Sequence, residues 1–227
     1  MKKNFISIIL FLIFTTQTFS HGGHLENSSI LEYELFRNNK LIGFHNYSFE
    51  TNANDTVVKS IIEFKIKKLG IDLYKYEATS LEKYEKGQLV NFSSKTNQNN
   101  KIKNTQINFN EKKNLLIISG SENQITSPKE YPVGTWWNHE IVQAKAQISA
   151  ISGRIIEQKV TFLGKEKLNL YGKTYYALRF NFTSSDKNLA DNKKLNTDVW
   201  YDEKTNLWLK AAFDKTGYWE YRLKNNK

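Results

Sequence analysis

Val57-Val58-Lys59-Ser60-Ile61-Ile62-Glu63-Phe64-Lys65-Ile66-Lys67 sets Ile62, Phe64 and Ile66 on one side of the chain, with Lys59, Glu63 and Lys65 largely on the other. Successive side chains of a strand point to opposite faces, so an apolar/polar alternation of period two describes a half-buried β-strand. The pattern recurs in both directions. Leu31-Glu32-Tyr33-Glu34-Leu35 alternates in the same way, Asn38-Asn39-Lys40 reads as a turn, and the next run continues through Tyr47 and Phe49. Further strands are expected over residues 73–84, 89–95, 101–109 and 114–119, with Asn and Lys filling the gaps as turns and edges require.

The middle of the chain breaks the alternation. It holds the two prolines, Pro128 and Pro132, and then Trp136, Trp137, Ile141, Val142 and Ala146 at roughly helical spacing. This spacing predicts a short helix starting near Thr135, with the threonine hydroxyl as N-cap and Asn138 in the first turn. Strands resume at 154–163, 166–170 and 173–183. A polar loop follows at 184–195, then strands at 197–201, 207–213 and 218–223. The last two turns carry Asn206 and Gly217 where a short hairpin loop needs a left-handed residue. A sheet of more than about ten strands curls rather than staying flat and open. The expected fold is mainly β, a strongly curved antiparallel sheet or half-barrel with one short helix packed in its concavity.

The chain starts with a basic Met1-Lys2-Lys3, followed by an apolar run over 5–14 (FISIILFLIF), and Thr18 and Ser20 are small residues at −3 and −1 of a cut after Ser20. This is the layout of a cleaved export signal. The run is well short of the roughly 20 apolar residues that a bilayer-spanning helix needs. The expected organisation is a signal peptide over 1–20, a flexible tail over 21–29 and a single β-rich domain over 30–227. The expected location is periplasmic or extracellular, with no transmembrane span after cleavage. There is no cysteine, which excludes a lipidated cysteine, disulfides and thiol chemistry.

The formal charge of +10 is a weak argument for nucleic acid. Only Arg37, Arg154, Arg179 and Arg222 carry the guanidinium fork that base and phosphate readers favour, and the lysines are spread along the chain. No nucleic-acid partner is expected. A weak attraction to anionic surfaces remains in keeping with the charge.

Three segments together resemble a family of exported bacterial proteins known as domain of unknown function 6134. They are Leu31-Glu32-Tyr33-Glu34-Leu35-Phe36-Arg37-Asn38-Asn39-Lys40-Leu41-Ile42-Gly43, Thr135-Trp136-Trp137-Asn138 and Val199-Trp200-Tyr201-Asp202. That pattern is similar to periplasmic proteins whose curved sheet holds a helix in its concavity, lipoprotein carriers among them. The resemblance implies a fold and a compartment, and it brings no catalytic residue.

Candidate chemistry is sparse. A cut after Ser20 would leave His21-Gly22-Gly23-His24. A free amine, the His21 imidazole and a second histidine could then hold copper, an arrangement that resembles the N-terminal site of secreted polysaccharide monooxygenases. His24, His45 or His139 would be the partner. One further residue of trimming would place His24 third, a square-planar site for Cu(II) or Ni(II). A loose polar tail is the bland alternative. His139-Glu140 fails as a zinc-protease motif because Gln143 stands where the second histidine is needed. Glu32 with Glu34, and Asp198 with Asp202, have no visible catalytic partner. There is no nucleophile elbow, phosphate loop or dinucleotide fingerprint.

The adjacent Trp136 and Trp137 cannot share one face of a helix. One is expected in the core and the other at a groove, where an aromatic plate with a polar N–H suits binding. Trp200, Trp208 and Trp219 read as core or surface aromatics. Trp136, Trp137 and His139 are thus the candidate ligand contacts, and His21 and His24 the candidate metal ligands. The leading expectation is a non-catalytic binding or carrier protein for a hydrophobic or lipidic ligand. A structural or interaction protein of the envelope and a copper protein are the alternatives. N-terminal sequencing of the exported protein is expected to read His21-Gly22-Gly23-His24. An intact Met1 in that fraction would remove both the cleavage and the copper readings.

Overall fold

The computed structural model describes residues 28–120 and 123–226. The expected signal peptide, His21 and His24 lie outside the described residues. Ser28 and Ser29, expected in the tail, already belong to the first strand.

The first half of the chain is a meander of eight strands. These are β1 (Ser28–Arg37), β2 (Lys40–Thr51), β3 (Asp55–Lys68), β4 (Ile71–Glu85), β5 (Gln88–Gln98), β6 (Lys101–Asn110), β7 (Leu115–Ser119) and β8 (Ile125–Pro128). The second half supplies β9 (Ala146–Ile148), β10 (Ile155–Leu170), β11 (Lys173–Ser184), β12 (Asn196–Asp202), β13 (Trp208–Asp214) and β14 (Tyr218–Asn226). All fourteen join one sheet in the order β8-β7-β6-β5-β4-β3-β2-β1-β14-β13-β12-β11-β10-β9. This is the chain order run as a cycle, because β14 pairs antiparallel with β1, with Leu35 opposite Tyr221. The break in the cycle lies between β8 and β9, where the chain inserts residues 129–145 instead of a ladder.

Two-residue loops drive the meander. Asn38-Asn39, Leu69-Gly70, Lys86-Gly87, Asn99-Asn100 and Tyr171-Gly172 all have positive φ at both positions, the loop geometry whose twist matches that of paired strands. Asn and Gly accept it readily, whereas Leu69, Lys86 and Tyr171 do so against their steric preference. The sheet curls, as expected. Tyr33, Phe49, Phe92 and Leu116 of the first meander share one buried cluster with Phe182, Tyr201 and Trp208 of the second. A flat sheet could not bring β7 and β11 together.

The predicted helix does not form. The segment holds only a 3-10 turn over His139–Val142, capped by the Asn138 side chain, which accepts from the Glu140 N–H. Thr135 is not the cap, and Trp136 takes a left-handed φ of 56°. Ala146, inside the expected helix, starts β9, which is buried at all three positions and pairs with Ile155–Glu157 of β10. A helix would have sent its apolar side chains to one stripe, but here the sheet surrounds them on several sides. Two further differences are smaller. The strands expected at 154–163 and 166–170 are one strand, β10, with a bulge at Leu163 between Phe162 and Gly164. The edge strand β8, ending at Pro128, was hidden by its proline.

Among the described residues no ladder closes the seam, but two contacts lie along it. Val133 bridges Ile148 in parallel, and the β9–β10 turn packs on β7. Gly153 makes that second contact fit. Its φ is +73°, and a Cβ there would come within 2.7 Å of the Ile118 Cγ2. Gly153→Ala is expected to destabilise the fold by roughly 1–3 kcal/mol in urea unfolding, from strain and overpacking together.

Candidate functional site

Residues 129–145 form a strap across the inner face of the sheet. Irregular buried backbone must find hydrogen-bond partners, and side chains of the sheet provide them. The Tyr47 hydroxyl of β2 donates to the Thr135 carbonyl at 2.9 Å, and the Tyr201 hydroxyl of β12 donates to the Trp136 carbonyl at 3.0 Å. Gln158 of β10 donates from Nε2 to the carbonyls of Ile141 (2.9 Å) and Ala144 (3.0 Å). Beyond the strap, Ser94 of β5 donates to the Ala150 carbonyl.

The candidate contacts Trp136, Trp137 and His139 all ride on the strap, but they point to different walls. Trp137 lies edge-on to Phe49 and Tyr84, with ring centroids at 5.3 and 5.6 Å. Trp136 packs against Trp208 and Tyr221 at 5.5 and 5.7 Å. His139 sits edge-on to Tyr201 at 4.8 Å and near Phe180. The two tryptophans do diverge, as adjacent side chains must, and both are partly buried against the main core.

Trp137 leads to a residue that the sequence reading passed over. Its Nε1 donates to Glu82 Oε1 at 3.0 Å, and the Tyr84 hydroxyl donates to Glu82 Oε2 at 2.6 Å. Glu82 is a buried acid on β4. Burial pushes its carboxyl above the usual range, while hydrogen bonds from Tyr84, Trp137 and Thr135 pull the other way. The signal was in the strand alternation, since Tyr76, Ala78, Ser80, Glu82 and Tyr84 share one face of β4.

Beside this acid lies a cleft of about 710 Å³ between the β4–β5 turn and the strap. Its apolar wall includes Tyr84, Leu89, Tyr131 and Pro132, and Gln88, Asn138, Glu140 and Gln143 bring polar groups to it. Tyr84 connects the two features, because its ring lines the cleft while its hydroxyl holds Glu82. A second recess of about 410 Å³ involves Leu41, Phe44, Lys65, Lys67 and Lys75.

The remaining candidates have structural surroundings. His45 packs on Tyr47, Trp208 and Tyr221, and burial lowers its pKa to about 3. Glu34 accepts from Tyr171 and Lys224, and Asp198 from Arg179 and Asn181. Asp202 accepts from the backbone of Lys204 and Thr205 in its turn. Among the described residues no group of three or more His, Cys, Asp or Glu side chains is placed to hold a metal ion. No helix among them is long and apolar enough to cross a membrane.

Over residues 33–224 the sequence matches the family described as domain of unknown function (DUF6134), and the chain belongs to that family. No curated protein matches it in sequence. Among solved structures it is similar to a β-barrel-like protein of domain of unknown function DUF1849 from Brucella abortus. The TM-score is 0.60 at 10% identity, over 88% of this chain and 96% of the other. A protein with a YmcC-like fold from Bacteroides fragilis covers 89% of this chain and 96% of its own at 10% identity, with a TM-score of 0.38. A DUF1329 family protein from Desulfovibrio piger covers 88% and 85% at 11% identity, with a TM-score of 0.18. The Brucella protein establishes a shared fold.

Glu82 and His45 set opposite pH limits. The raised folded pKa of Glu82 stabilises the protein at low pH, and that contribution is lost as pH rises through the raised value. His45, lowered by burial, costs stability as pH falls from 6.5 towards about 3. In thermal melts across the pH range, Glu82→Gln is expected to gain on the wild type as pH rises. Parallel profiles for the two proteins would refute a buried, proton-holding Glu82.

Proposed function

We propose that this member of the DUF6134 family is a non-catalytic binding or carrier protein of the periplasm, and that it takes a hydrophobic or amphipathic small molecule in the cleft beside the strap. The observation that carries this reading is the cleft itself. Its volume of about 710 Å³ lies within the few hundred to a thousand cubic ångströms of small-molecule sites. Its lining joins the apolar wall of such sites to a charged rim of Lys129, Glu130, Glu140 and Lys145, which suits an amphipathic ligand.

The division of labour follows from the lining. Tyr84, Leu89, Tyr131 and Pro132 would cover the apolar part of the ligand, and Asn138, Gln143 and Gln88 offer both donors and acceptors to its polar end. Trp137 would act from behind, fixing the strap against Glu82 rather than meeting the ligand. Catalysis is not part of the proposal. Glu82 is a buried acid, but its two oxygens are already engaged by Tyr84 and Trp137.

Anilinonaphthalene sulfonate, an amphipathic fluorescent probe, is expected to bind the wild-type protein. Ala144→Trp, which fills the cleft from the strap side, should weaken that binding at least about tenfold, the equivalent of roughly 1.4 kcal/mol. Native mass spectrometry of the protein taken from its own envelope should show a co-purifying small molecule. A probe that binds both forms equally, with no co-purifying molecule, would refute the cleft as a ligand site.

A further inference from the structure

The β3–β4 hairpin ends in Lys65-Ile66-Lys67-Lys68-Leu69-Gly70-Ile71-Asp72-Leu73-Tyr74-Lys75. Its tip exposes three aliphatic side chains within five residues: Leu69 is 94% exposed, Ile71 67% and Leu73 55%. Leu69 also occupies a left-handed position at φ 51°, where asparagine or glycine would fit without strain. A bulky apolar residue is thus held in water at a backbone position that suits it badly. Lys65, Lys67, Lys68 and Lys75 flank these residues, with Asp72 paired to Lys67 at 3.5 Å and Glu77 paired to Lys75. The recess at the base of the hairpin, lined by Glu63 and Glu77 as well as Lys65, Lys67 and Lys75, adds Lys40 and Leu41 from the start of β2.

We propose that this tip docks the protein on an anionic lipid surface. Leu69, Ile71 and Leu73 enter the boundary between headgroups and acyl chains, while Lys40, Lys65, Lys67 and Lys68 meet lipid phosphates. Apolar side chains surrounded by lysine match a surface that is apolar beneath and negative above. The other occupants fit less well. Two copies meeting tip to tip would bring their lysines together. A partner strand would find only the short outer edges of the tip, beyond Phe64 of β3 and before Tyr76 of β4, where the pairing with β2 and β5 ends, and such a ladder would leave the apolar side chains and the lysines without a partner. The proposal does not depend on the ligand cleft. The tip and the cleft lie at opposite ends of β4, a strand of 15 residues that spans about 50 Å.

Co-sedimentation with vesicles tests it. The full-length processed protein is expected to bind vesicles of phosphatidylcholine mixed with phosphatidylglycerol, to ignore phosphatidylcholine alone, and to be released by salt. The double variants Leu69→Ser/Ile71→Ser and Lys67→Gln/Lys68→Gln should each bind at least about tenfold more weakly, with wild-type melting temperatures because their side chains are exposed. Ala144→Trp should bind vesicles like the wild type, which separates this test from that of the cleft. Absence of binding to anionic vesicles, or equal binding by the tip variants, overturns the proposal. So does a dimer in sedimentation velocity that the Leu69→Ser/Ile71→Ser variant abolishes.

Discussion

A stretch of irregular backbone can sit inside a protein only if its polar groups are satisfied there. Much of this molecule follows from that constraint. The strap has no ladder and no helix to pair its carbonyls, so the surrounding wall must donate to them. The inner face accordingly carries hydroxyls and amides where a plain sandwich core would carry phenylalanine. Tyr47, Tyr201 and Gln158 come from three different strands and hold four strap carbonyls between them. Each presents apolar body to the core and a polar tip to the strap, which is what makes tyrosine suit such a lining. The strap in turn binds the two meanders together, because its partners lie on β2 on one side and on β10 and β12 on the other.

The sheet was legible because its signal is local. Alternation in residues 57–67 and Asn or Gly at the hairpin loops depend on near neighbours only, and the long strands fall where those patterns put them, whereas the short β8 and β9 do not show in them. The strap was not legible, for the opposite reason. Its apolar residues have helical spacing, but their direction is set by walls that arrive from distant parts of the chain. Trp136 is turned towards Trp208 and Tyr221 through a left-handed backbone that no local rule predicts. Glu82 is an intermediate case. Its phase on β4 placed it on the buried face, but the significance of a carboxylate there appears only beside Tyr84 and Trp137. His21 and His24 lie outside the described residues, so the metal expectation rests on sequence alone.

Two ionisable side chains border the strap from inside the sheet, Glu82 and His45. Burial disfavours the charged form of both, and they stand one at each side of the strap's tryptophan pair: Glu82 bonds Trp137, and His45 packs on Tyr221 and Trp208, which also hold Trp136. A shift in either group would be felt first by the strap, which has no ladder of its own to resist it.

The cyclic strand order also sets an order of events in folding. Leu31 pairs with Asn226, so the ring of strands cannot be completed until the last strand exists. Each meander can grow from its own hairpins, which are cheap contacts between near neighbours. The strap cannot settle so early, because Gln158 and Tyr201 follow it in the chain and must arrive before its carbonyls can leave water. Contacts of such long sequence separation are characteristic of slow folders. Until they form, β8 and β9 would present open edges, the part of any sheet most prone to recruit a neighbouring chain.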